Sequence, residues 1–527
     1  MRNFAFPGRS PVYATRAMCA TSHPLATVAA IEQLKSGGNA IDAAIAAVAV
    51  LSVVEHPMTG IGGDCFAMIA KPGTKPVAFN ASGRAPKAAT PEWYAKQGIS
   101  TIPVQSPHAV TVPGAIDGWT RLMKDYGTRS LGDVLARAIE YAEGGFIVAP
   151  RVAYDWGKFT EKLKAHPGSR QHLLPGGRAP KVGEKVRFPE LGKTLRAIAD
   201  KGRDAFYTGE IAADMVAELK ELGGLHTIED FANQTSSYVE PIRVGYRGAD
   251  LYELPPNNQG IVALIMLRVL ERLGSAGDDP LSAERYHLMM EIGRNAYALR
   301  DAFVADPDMV KVPVEHMLSD AVADEIARRI DRSKRSELGP VPKPAGNDTT
   351  YLTVVDGNGM AVSFINSLFS AFGTGIVTRK SGITLHNRGQ GFVLDPKHLN
   401  CIAPGKRPMH TLVPAMAFKA DKPWLSFGVM GANFQPMGHA YVMTNMLDYG
   451  MDPQAALDHP RAFFEGDEIK IEASMPKSVF EGLTAKGHKV VYADSPWGGG
   501  QIVEMDQANG VLVGASDPRK DGMAAGY

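Results

Sequence analysis

Cysteine is nearly missing from this chain. Its 527 residues hold only Cys19, Cys65 and Cys401. Three thiols, odd in number and far apart, exclude a disulfide framework and the paired spacing of a zinc ribbon. Charge of either sign is not in excess, since 56 Lys and Arg balance 56 Asp and Glu; this speaks against a basic nucleic-acid-binding surface. Long apolar runs are missing too. The longest, 43–54, is too short to cross a bilayer, and the segment Met1 to Arg9 lacks the apolar core of a signal peptide. A cytoplasmic protein that binds neither nucleic acid nor membrane is expected.

Familiar catalytic signatures are also lacking. The fourteen histidines form no H-E-x-x-H motif and no close pair, so neither a metal site nor a cofactor is expected. There is no G-x-S-x-G elbow and no phosphate-binding G-x-x-x-x-G-K-[ST]. Thr59-Gly60-Ile61-Gly62-Gly63-Asp64 lacks the flanks of a dinucleotide motif and reads as close backbone packing.

What is present is a large soluble core, 45% hydrophobic and 21% charged residues, in a chain several times the usual domain size. The first two thirds read as mostly helical, with helices over 24–35, 39–54, 131–143, 190–201, 211–222, 262–273, 282–303 and 318–336. From Thr349 the texture changes to strands, at 351–366, 383–386, 411–418, 424–429, 469–473, 489–493, 501–506 and 511–514, with a helix over 438–447 among them. The change falls after Gly339-Pro340-Val341-Pro342-Lys343-Pro344-Ala345-Gly346, which prolines bar from helix or central strand. Asn347, Asp348, Thr349 and Thr350 follow, then two strands joined by Asp356-Gly357-Asn358-Gly359, a strong hairpin signal.

A threonine pair opening a hairpin at the end of such a loop suggests a new N-terminus made by cutting at Asp348–Thr349. An ordinary loop entering a hairpin has the same appearance. Chemically, a threonine hydroxyl is a weak nucleophile unless it is N-terminal, where the α-amine, with a pKa of about 7.7–8.0, serves as its base. The attacked carbonyl would then need two N–H donors. Gly428-Val429-Met430-Gly431-Ala432-Asn433, between a strand and a helix, could supply them.

Across nearly its whole length the chain resembles the γ-glutamyltranspeptidase-like N-terminal nucleophile hydrolases. The resemblance is carried by Lys35-Ser36-Gly37-Gly38-Asn39-Ala40-Ile41-Asp42-Ala43-Ala44, Val112-Pro113-Gly114, Gly144-Gly145-Phe146-Ile147-Val148 and Asp348-Thr349-Thr350-Tyr351. Phe372-Gly373-Thr374-Gly375, Gly405-Lys406-Arg407-Pro408 and Gly514-Ala515-Ser516-Asp517-Pro518-Arg519 complete it. It implies an α+β fold, an αββα four-layer sandwich built jointly by two subunits of one precursor. These would be a mostly helical large subunit 1–348 and a strand-rich small subunit 349–527. Whether that heterodimer pairs again is left open. By the same resemblance Thr349 is the nucleophile, Ser367 stands where a threonine supports it, and Gly431 and Ala432 stand where two glycines form the oxyanion hole.

The departures bear on the substrate. Where transpeptidases hold a glutamyl α-carboxylate with arginine, this chain has Ser82, with Arg84 two places on. The asparagine and aspartate that hold the α-ammonium are replaced by Phe369 and Gly391. The paired serines become His410-Thr411, and Arg388 replaces a neutral glutamine. Losing a carboxylate and an amide would cost an ammonium several kcal/mol of charge-assisted binding. The expected substrate is therefore a small amide with a carboxylate and no α-ammonium, oxamate fitting best. Arg84, Arg388, Phe369, His410, Thr411 and Asn433 are its candidate contacts. Structural ion pairing is the competing role for Arg84 and Arg388. γ-Glutamyl transfer or glutathione hydrolysis, a glutaryl-type cephalosporin acylase and an inactive scaffold are the alternatives.

Overall fold

The computed structural model describes residues 8–274, 276–337 and 349–527. Among them, two seven-stranded sheets lie face to face. In the first the order is Val12–Ala14, Val511–Ser516, Gly500–Asp506, Lys422–Val429, Ala415–Lys419, Ala249–Glu253 and Ile242–Tyr246. In the second it is Met523–Gly526, Met18–Thr21, Thr350–Val355, Ala361–Ser367, Asp64–Ala70, Val77–Ala81 and Ser237–Val239. Residues before Thr349 supply three strands of the first sheet and four of the second, so neither half of the chain completes a sheet alone.

Period-two alternation builds the layers, because successive side chains of a strand point to opposite faces. Along Asp64–Ala70, Cys65, Ala67 and Ile69 join the helical core on one side. Phe66, Met68 and Ala70 join the core between the sheets. Thr350–Val355 repeats the pattern, with Leu352 and Val354 outward and Tyr351 and Val355 inward. On the other sheet Leu425, Phe427 and Val429 face the second helical layer, with Val262, Met266 and Met437. Three separate cores thus define four layers, helix–sheet–sheet–helix, as the resemblance implies.

Helix Ala40–Val54 explains the apolar run. All fifteen of its residues are buried, so it needs no polar face and is sandwiched between the second sheet and other helices. Its start is fixed by a capping box between Asn39 and Asp42, worth about 1 kcal/mol. No helix among the described residues is long and apolar enough to cross a membrane.

Two expected elements are corrected. The helix expected over 318–336 is Asp320–Arg329 only. Beyond it Asp331 Oδ1 accepts from Ser333 N (2.8 Å) and Oγ (2.6 Å), a local turn that competes with helical hydrogen bonding. Residues 383–386 form no strand. Leu385 N donates to Ile376 O and Leu385 O accepts from Thr374 N, so their backbone groups serve a loop, bridged once at Val377 and Thr384.

Candidate active site

The hairpin places Thr349 and Ser367 side by side. Thr350 pairs with Asn366 in antiparallel register, which leaves their outer neighbours together at the end of the sheet. Thr349 Oγ1 lies 3.2 Å from Ser367 Oγ, both residues fully buried. Ser367 Oγ also accepts the Phe369 N–H at 2.7 Å, which fixes where that hydroxyl sits. On the other flank Ser367 pairs with Asp64. A Cβ on Gly63 would stand 2.2 Å from Ser367 O, so the glycine run before Asp64 is close backbone packing, as expected from the sequence.

The first sheet carries the small-residue turn on a strand that faces this hairpin. Thr353 Oγ1 bonds Ser426 Oγ at 2.7 Å. Two residues back along its strand, the Tyr351 ring packs on Gly428, where a Cβ would stand 2.5 Å from it. That strand, Lys422–Val429, runs on through Met430 into Gly431 and Ala432. Both turn residues have left-handed backbones, with φ of 118° and 45°, the second costly for a residue with a Cβ. Among the described residues neither N–H has a protein acceptor. Gln259 Nε2 braces the turn at Ala432 O (2.8 Å), while Arg300 Nη1 donates both to Gln259 Oε1 (2.7 Å) and to Asn433 Oδ1 (2.9 Å). Tyr297 O–H donates to Asn433 O.

Arg388 closes the site opposite. Its guanidinium is buried, lies 4.1 Å from the Phe369 ring centroid, and donates through Nη1 to Thr411 Oγ1 at 2.8 Å. Nε and Nη2 have no partner. Phe369 holds a left-handed backbone, φ 78°, rare for a bulky residue. Burial pushes the Arg388 pKa down to about 9 against the pull of Asp64, leaving a cation at neutral pH.

Asp64 is the counter-charge. Oδ1 accepts the N–H of Gly83 and of Gly114, each at 3.0 Å. Oδ2 lies 3.1 Å from His410 Nε2 and 3.5 Å from His386 Nδ1. Burial raises its pKa, but His386, His410 and Arg388 together outweigh that and hold it below the ordinary carboxylate range. His410 is pushed down to about 3 by burial and then by Arg388. It is therefore neutral, with Nδ1 accepting from Leu412 N at 3.3 Å and Nε2–H left to donate to Asp64.

Of the expected residues, the structure gathers Thr349, Ser367 and Phe369, with Arg388 and Thr411 against Phe369; the Gly431–Ala432 turn follows the strand that faces the hairpin. His410 and Asn433 stand one bond behind, on Asp64 and Arg300. Arg84 departs from the expectation. It pairs with Asp308 at 3.0 Å and Asp306 at 3.7 Å, donates to Gly405 O at 3.0 Å, and shares both aspartates with Arg407. Its guanidinium is occupied structurally because two arginines there must be neutralised. Asp348 lies outside the described residues. Sequence reasoning passed over Asp64, His386 and Gln259; the one signal was a carboxylate opening an otherwise apolar strand.

A cavity of 450 Å³ touches both Ser370, next to Phe369, and Gly498, whose Cα lies 3.2 Å from where a Gly431 Cβ would be. A larger hollow of 790 Å³, between helices Pro189–Lys201 and Glu210–Glu221, reaches none of these residues.

Fold and paired hydroxyls together define an N-terminal nucleophile hydrolase. Cephalosporin acylase from Bacillus halodurans superposes with a TM-score of 0.93 at 39% identity, covering 100% of this chain and 99% of that one. The γ-glutamyltranspeptidase family model matches residues 26–527. The chain belongs to the γ-glutamyltranspeptidase family and is an enzyme of that class. Relatives include the glutathione hydrolase-like YwrD proenzyme of Bacillus subtilis (strain 168), 37% identical over 98% of this chain and 99% of that one. The oxamate amidohydrolase proenzyme of Klebsiella pneumoniae is 36% identical over 97% and 99%.

Proposed function

We propose that the protein is a self-processing amidohydrolase acting on a small amide that carries a carboxylate and no α-ammonium, oxamate being the best fit. The observation that carries this reading is the buried Arg388 guanidinium, with Nε and Nη2 unpartnered. Those two nitrogens form one edge of the planar fork, which matches a carboxylate with two parallel hydrogen bonds. An ammonium finds nothing comparable, because the Asp64 oxygens already serve Gly83, Gly114 and His410. The name of the Klebsiella relative supports the same substrate.

In this reading Thr349 Oγ1 first adds to the Asp348 carbonyl. The Asp348–Thr349 C–N bond breaks, an ester forms, and water hydrolyses it to free the Asp348 carboxylate and the Thr349 amine, dividing 1–348 from 349–527. The amine then takes the Oγ1 proton as Oγ1 adds to the substrate carbonyl, with Gly431 and Ala432 N–H groups on the oxyanion. The amide C–N bond breaks and the amine proton leaves with ammonia. Water hydrolyses the acyl-threonine and regenerates the hydroxyl. A cytoplasmic location belongs to the same reading and is supported by three buried, free thiols.

Oxamate, a glutaryl amide and a γ-glutamyl anilide, assayed side by side, test the substrate class. Oxamate is expected to have the highest kcat/KM. Preference for the glutaryl amide would move the reading toward the acylase named at 39% identity, and strong γ-glutamyl turnover would overturn it. Ser367→Ala is expected to lower kcat about tenfold, the worth of one hydrogen bond to the developing alkoxide. Ser367→Thr, which keeps the hydroxyl, should retain most of the rate.

A further inference from the structure

Away from the active site, three buried side chains meet where no sequence spacing announces them. His287 and Glu291 lie one turn apart on helix Ala283–Phe303, and His488 comes 201 residues after His287, just before strand Lys489–Tyr492. One ligand atom from each falls within 4.8 Å of the others. His287 and Glu291 are fully buried and His488 is 3% exposed. Glu291 Oε1 has no hydrogen-bond partner, an expensive state for a buried carboxylate oxygen.

We propose that His287, Glu291 and His488 bind a divalent transition ion of the zinc class. Two imidazoles and a carboxylate are a donor set such ions accept, with water completing four-coordination. The surroundings orient His287 and Glu291 as a metal site requires, while His488 Nδ1 has no partner. His287 Nε2 lies 2.7 Å from Asp331 O and so carries the proton it donates there, leaving the Nδ1 lone pair facing His488 Nε2 at 2.7 Å. Glu291 Oε2 accepts Ser336 N–H at 3.1 Å, leaving Oε1 for the ion. Entry of an ion opens the nitrogen separation to roughly 3.3 Å, as tetrahedral angles and Zn–N bonds of about 2.0–2.1 Å demand. Of the nearby cations two are engaged elsewhere, while Arg294 keeps Nε and Nη1 without a partner. Arg335 pairs with Asp467, Lys486 lies 3.3 Å from Glu284, and Arg294 donates to Asp467 O at 3.3 Å. Arg294 feels the Glu291 charge but, among the described residues, forms no ion pair with it, so a bound ion would share that carboxylate's field with the guanidinium.

The partners Asp331 and Ser336 belong to the stretch leading to Thr349. On the cleavage proposed above, His287 and Glu291 fall in one subunit and His488 in the other, so the ion staples the two. That consequence rests on the cleavage; binding of the ion does not. Full-length protein stripped with a chelator and titrated with Co²⁺ alone should take up one equivalent and show visible absorbance of a four- or five-coordinate ion. His488→Ala and Glu291→Gln should each weaken binding at least tenfold, since even outer-shell losses cost about 10–100-fold. If His488→Ala does not fold, the near-isosteric Glu291→Gln decides. Absence of the spectrum in folded wild type, or equal Co²⁺ binding by wild type and Glu291→Gln, would overturn the site.

Discussion

Thr349→Ala is expected to give a single uncut chain with no measurable amidase activity. Both outcomes come from one atom. The methyl side chain cannot add to the Asp348 carbonyl, so the precursor stays whole; the α-amine is then never released, and the substrate meets neither nucleophile nor base. Removing a covalent nucleophile costs about 10⁶-fold in comparable hydrolases, beyond the range of most assays. The packing should survive, because Thr349 Oγ1 gives up a 3.2 Å hydrogen bond to Ser367, worth about 1 kcal/mol, while Thr350 to Val355 keep their pairing with Ala361 to Asn366 and Leu352 to Val355 keep theirs with Met18 to Thr21. Electrophoresis and N-terminal sequencing check the cut, oxamate turnover checks the rate, and thermal unfolding checks the fold. Active protein that remains a single chain, in wild type or variant, would end the N-terminal threonine scheme. Thr349→Ser, which keeps a hydroxyl, should cut and turn over more slowly.

The hairpin was legible because its signals are local. Asp356 to Gly359 mark a turn whatever the rest of the chain does, and the strands they join were found within a residue or two of Thr350–Val355 and Ala361–Ser367. The helices 24–35 and 282–303 were legible for the same reason, as caps and periodicity are written in neighbouring residues. Arg84 and Arg388 looked alike in sequence. Only the fold separates them, by bringing Asp306 and Asp308 to the first and an aromatic face to the second. Asp64 was illegible as the counter-charge because its partners His386 and His410 lie over three hundred residues away. The sheet-edge strand Met523–Gly526 was missed since Met523-Ala524-Ala525-Gly526 carries little strand propensity; its pairing with Met18–Thr21 sets it instead.

Arg388→Ala is expected to lower kcat/KM for oxamate by roughly 10²–10³-fold, mostly through KM. The bound carboxylate would lose two charge-assisted hydrogen bonds, and truncating one partner of a buried charge pair costs about 2–5 kcal/mol. Arg388→Lys should recover little. An ammonium offers a point charge in place of the fork, and it cannot lie flat on Phe369 while donating to Thr411 and the substrate together. Removing the guanidinium also leaves Asp64 without its cation in a site where burial already opposes the carboxylate, so some loss of stability should accompany the loss of binding. A neutral amide of similar size, lacking the carboxylate, separates the two effects. If Arg388 holds the substrate, the variant's deficit should be confined to carboxylate-bearing amides; if Arg388 only balances Asp64, both amides should lose rate equally.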